Sequence, residues 1–264
     1  MKYLIPFFAL LLVAPRCLQA ADQPPAHINV QNLPNQATLV DDVVVPVPSE
    51  IFGVLDKLGS PNWHDVLRSG KVSPPGKRPQ TALLLGTVIA EGFIAVEAQD
   101  SEEIKKIGHN VLDLAGAIGV KKSVISRSNA IIEAADKKDW AKARTELDGA
   151  LHDVKQAMIE LHDDELAQLV SLGGWLRGTE ALCLVVQKNY TKDGADLLHQ
   201  PLLLQYFQRR LDGMSPHLKM DTVKTIRAKL NDIAPLVSGP TISPKDVDDV
   251  LAIVHELVKS IQQP

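Results

Sequence analysis

From Trp140 to Leu161 an apolar residue returns at every third or fourth position: Trp140, Ala143, Leu147, Leu151, Val154, Met158 and Leu161. A 3.6-residue period places them on one stripe, so this segment is a long amphipathic helix that must bury that stripe against other helices. The same stepping recurs along most of the chain, and strand-like alternation is scarce. Asp100 and Glu103 form a capping pair before a helix reaching about Gly119, with Ile104, Ile107, Val111, Leu114 and Ile118 facing inward. Val124, Ile125, Ser128, Ile131, Ile132 and Ala135 define the next helix. Asp221 caps one carrying Val223, Ile226, Leu230, Ile233 and Val237. Ser243–Pro244 opens another, with Val247, Leu251, Val254, Val258 and Ile261, proline taking the first helical position as it prefers. Residues 80–98 and 165–188 are apolar nearly all round, and residues 194–212 form a helix interrupted or started afresh at Pro201. The expected fold is all-α, an up-down bundle of about eight helices.

A Pro-rich leader precedes the bundle. Residues 22–48 read as extended chain, with one short strand at Val43–Val45 held at an edge or out of a sheet by Pro46 and Pro48. Ser49 begins a short helix carrying Ile51, Phe52, Leu55 and Leu58, and a second turn from Pro61 to Arg68 carries Trp63 and Val66. The run Ser73–Pro79 is a loop and marks the boundary, giving a leader over 21–78 and a bundle over 79–264. Within the bundle, Leu83–Gly92 is similar to Val170–Thr179, aligning Gly86 with Gly173, and Ala150–Val154 is similar to Ile253–Leu257, aligning His152 with His255. Two four-helix units, 79–162 and 163–264, would follow from an internal duplication; chance matching of short helical motifs is the competing reading.

The first twenty residues have the layout of a secretory signal: Lys2, an apolar run from Leu4 to Ala14, and Leu18–Gln19–Ala20 as a cleavage site. That run is too short to span a bilayer permanently. Cys17 follows Pro15 and Arg16, where a lipid-attachment site would want small residues. Cleavage after Ala20 would leave Cys183 alone, with no intramolecular disulfide, and would take the formal charge from −4 to −6. No later apolar stretch reaches membrane-spanning length without a charge, so the exported chain is expected to be soluble, periplasmic or extracellular, with no transmembrane segment.

Catalytic templates fail one after another. With Cys17 removed, covalent haem attachment and thiolate zinc sites are impossible. H-E-x-x-H, E-x-x-H pairs, Gly-rich phosphate loops and G-x-S-x-G are all missing. The acidic balance and the lack of a dense basic run disfavour nucleic acid. Among the eight histidines, His109 with Asp113 and Asp148 with His152 have helix-face spacing, yet four convergent metal ligands cannot be named. His152 and His255 follow Leu151 and Val254 and fall at the rim of the bundle. Met158, Met214 and Met220 read as packing residues.

One anomaly remains. The two most apolar helices carry charges in their middle: Glu91 between Leu83 and Val96, and Arg177 with Glu180 between Leu169 and Val186. Arg177 and Glu180 are three apart and can pair along one helix, and Glu91 can reach Arg177 if the two helices pack centrally. Gly86, Gly92, Gly173, Gly174 and Gly178 would allow that close approach. Glu91, Arg177 and Glu180 are thus either a structural polar core or a pocket for a small anionic or zwitterionic ligand. The expected function is non-catalytic binding or scaffolding in the cell envelope, through an envelope protein or such a ligand, with no cofactor. The alternative is a metal- or haem-dependent envelope enzyme or electron carrier using the histidines.

Overall fold

The computed structural model describes residues 61–263, together with the backbone of two short strands, β1 (Thr38–Val40) and β2 (Val43–Val45). The signal sequence and the expected helix after Ser49 lie outside the described residues. The strands pair antiparallel with Leu39 opposite Val44, so the strand expected at Val43–Val45 has a partner that was too short to announce itself. After a single 3-10 turn at Trp63–Asp65 the chain is all-helical. The helices are α1 (Arg78–Glu97), α2 (Ser101–Ala117), α3 (Lys121–Asp136), α4 (Trp140–Glu160) and α5 (Asp164–Lys188). A short α6 (Lys192–Asp196) follows, then α7 (Pro201–Gly213), α8 (Asp221–Val237) and α9 (Pro244–Gln262). Eight of these are long, as the multi-helix bundle requires.

Local chemistry sets most of the boundaries. The Asp100 and Asp139 side chains accept from the backbone N–H of Glu103 and Lys142, capping α2 and α4. Ser243 and Asp246 form a reciprocal capping box at the start of α9. Pro201 starts α7 afresh after the short α6. Asp221, by contrast, lies inside the first turn of α8, with Met220 as the capping residue and no side-chain cap.

The centre of the bundle is the pair α1 and α5, which make the most extensive helix contact among the described residues. Every residue of α1 from Pro79 to Val96 is buried, so this helix needs no polar face. Both helices are long and apolar enough to cross a membrane by length and composition, with mean hydropathies of 1.5 and 1.4. Here the most apolar window of α1 is wholly buried by protein and that of α5 is 72% buried, as befits central helices. On one side α1 packs against α2 and α4, with α3 bridging these two; on the other, α9 lies along α5 and is backed by α8, which pairs with α7. Gln80 at the head of α1 donates to the carbonyls of Ile261, at 3.2 Å, and Gln263, tying the first bundle helix to the end of the last.

The α1–α5 crossing depends on two glycines. A Cβ on Gly86 would lie 1.9 Å from the Val170 carbonyl oxygen, and one on Gly173 would lie 2.0 Å from that of Leu83. The contact is reciprocal, since each glycine meets the carbonyl three residues before the other. A third glycine behaves differently. Gly178 is buried in the middle of α5, yet a Cβ there would meet nothing within 4 Å. Gly178→Ala should therefore stabilise the fold by ~0.5–1 kcal/mol through the lost freedom of the unfolded chain. A higher urea midpoint at unchanged slope would show it; a lower midpoint would mean that this space is needed.

Candidate functional site

The three charged residues singled out in the central helices meet at one point. Arg177 is 1% exposed and Glu180 fully buried, with Glu91 7% exposed. The Arg177 Nε donates to Glu91 Oε2 at 2.6 Å, Nη1 to Glu180 Oε2 at 3.3 Å, and Nη2 to the backbone carbonyl of Val66 at 2.6 Å. The planar guanidinium suits such divergent acceptors, whereas an ammonium would not span them.

The remaining carboxylate oxygens face Arg68, which the sequence did not mark, and His255, which it placed only at the rim of the bundle. Glu91 Oε1 accepts the backbone N–H of Arg68 at 2.6 Å. Glu180 Oε1 accepts from the Arg68 guanidinium and lies 2.8 Å from His255 Nδ1. His255 Nδ1 is also 3.0 Å from Arg68 Nη2. Two carboxylates and two guanidiniums therefore form a balanced cluster. Burial pulls the Arg68 guanidinium below its ordinary value, opposed mainly by Glu180. It remains charged, as arginine does in proteins.

Arg68 belongs to a strap, residues 61–72, that runs over the helices around this cluster. Trp63 and Val66 anchor it in the core. Asp65 pairs with Lys188 at 2.7 Å, and Ser69 donates to the buried Glu103 at 2.7 Å. Asn110 donates to the Gly70 carbonyl at 3.2 Å and accepts the Val72 N–H at 3.4 Å. The first two bonds tie the strap to the helices by its side chains, and the last two by its backbone. The strap thus supplies the cluster with a carbonyl, an N–H and a guanidinium. An acceptor made of backbone leaves no trace in a residue pattern, which is why Val66 was legible only as an apolar anchor.

The other candidates scatter. His109, Asp113 and His152 are exposed, and Met158 and Met214 are buried packing residues. Among the described residues no group of three or more His, Cys, Asp or Glu side chains could hold a metal ion. Cys183 is fully buried, and burial, with Glu180 and Asp248 nearby, pushes its thiol above the ordinary value, away from the reactive thiolate. An apolar cavity of about 10 Å³ lies among Ile89, Ile107, Val111, Ile131 and Leu147, room for one water at most. No family model, curated protein or solved structure matches the chain.

Proposed function

We propose that this chain is exported, loses its signal after Ala20, and acts without catalysis by binding or scaffolding in the periplasm or cell envelope. The observation that supports it most is the closure of the charged cluster. Arg177 spends its Nε, Nη1 and Nη2 on Glu91, Glu180 and the Val66 carbonyl at 1% exposure, so these charges serve the fold. A small anion at Arg177 would have to displace a buried carboxylate, which favours an envelope protein as the partner. Contact then falls to the outer helix faces.

The test is made on protein purified from fractionated cells of its own host. Mass spectrometry should find a mature terminus at Ala21, and in-cell crosslinking should recover one envelope protein in stoichiometric yield. An intact Met1 or a lipid on Cys17 would overturn the export reading. A stoichiometric metal, or a haem absorption band, would overturn the non-catalytic reading in favour of the histidine-based alternative.

A further inference from the structure

The geometry points to His255 as an acid-operated release for the strap, in which its protonation displaces Arg68 from Glu180. One nitrogen carries two contacts with opposite requirements. A guanidinium only donates, so the 3.0 Å approach of Arg68 Nη2 to Nδ1 needs a bare lone pair on that nitrogen. An ionised carboxylate only accepts, so the 2.8 Å contact of Nδ1 with Glu180 Oε1 needs a proton there. A proton on Nδ1 therefore decides whether that nitrogen serves Arg68 or Glu180, and the doubly protonated ring adds a second cation at Glu180. With neutral His255, protonated on Nε2, Arg68 keeps the carboxylate and also donates to the imidazole. With imidazolium, two cationic donors aim at one oxygen and face each other.

Charge balance selects the outcome. Glu91 and Glu180 are matched by Arg177 and Arg68, so a third cation leaves the cluster with excess positive charge. Arg177 is enclosed at 1% side-chain exposure, whereas that of Arg68 is 25% exposed and can turn to water. Exchange of Arg68 for protonated His255 restores neutrality and keeps Glu180 paired. The groups around the imidazole are few. The strap brings Arg68, α5 brings Glu180 with Arg177 behind it, and α1 brings Glu91. On α9 itself Glu256 is adjacent in sequence and Lys259 lies one turn on. Among the described residues α8 places no charged atom within bonding distance of the ring.

Loss of the Arg68 side chain leaves the strap tied here by its Arg68 N–H and Val66 carbonyl alone. The strap should therefore loosen as acid protonates His255. Hydrogen exchange of the full chain tests this on the peptide covering 63–72, with protection factors corrected for the intrinsic pH dependence. Between about pH 7.5 and about pH 5.5, protection should fall about tenfold in the unmodified protein while α2 and α4 keep theirs. His255→Gln, which can accept from Arg68 and cannot gain charge, should stay protected at both values. His255→Arg, permanently cationic, should be loose at both. Unchanged protection in the unmodified protein, or the same fall in His255→Gln, would overturn the proposal.

Discussion

Replacing Arg177 with Met should lower the stability of the fold by about 3–5 kcal/mol, the range for removing one partner of a buried ion pair. The cost comes from what stays behind. Glu91 retains only the Arg68 N–H, and the Val66 carbonyl loses its donor. Glu180 retains Arg68 and His255, so Glu91 carries the larger share. Adding Glu91→Gln and Glu180→Gln should recover part of the loss, because both neutral amides still offer an oxygen to Arg68. Recovery should stop short of the full amount, since an unsatisfied buried carbonyl costs about 1–3 kcal/mol. Urea unfolding at constant slope measures all of these. A loss below about 1 kcal/mol for the single variant would mean that the guanidinium is solvated.

The second large effect is steric. Gly86→Ala should destabilise by about 3 kcal/mol, at the upper end for over-packing. The ~1 kcal/mol gained in helix propensity does not offset it. A Cβ 1.9 Å from the Val170 carbonyl oxygen meets backbone, which cannot swing aside as a side chain can. Gly173→Ala should behave alike, being 2.0 Å from the Leu83 carbonyl. The double variant should cost less than the two singles together, because both insertions part the same helix pair and the first opens room for the second. Strict additivity in a double-mutant cycle would show that the two contacts yield independently.

Much of the architecture was legible because helices advertise themselves twice, in a 3.6-residue stripe and in their caps. Asp100, Asp139 and Ser243 each do at the helix start what their side chains allow. Asp221 misled because an acid in the first turn and an acid at the cap have the same sequence appearance. Glu91, Arg177 and Glu180 stood out against apolar neighbours, where a charge needs a partner. Arg68 lies in a strap without periodic pattern and His255 falls one position past the core residue Val254, at the rim, where solvent could serve either, so nothing in the pattern demanded a partner. The reciprocal meeting of Gly86 and Gly173 is what two duplicated units would give, and we propose the duplication on that ground, with repeats at 79–162 and 163–264.

The strap and the central crossing also set an order of events for the newly made chain. The Val66 carbonyl and the second oxygen of Glu91 find their donor at Arg177, 111 and 86 residues further on, and Gln80 waits for Ile261, 181 residues away. Such distant pairings carry a loop-closure cost and slow the approach to the native state. Until α5 has been synthesised, the side of α1 that it covers, with Glu91 in its middle, stays open. The first half of the chain is therefore most open to association with its own kind before α5 has emerged.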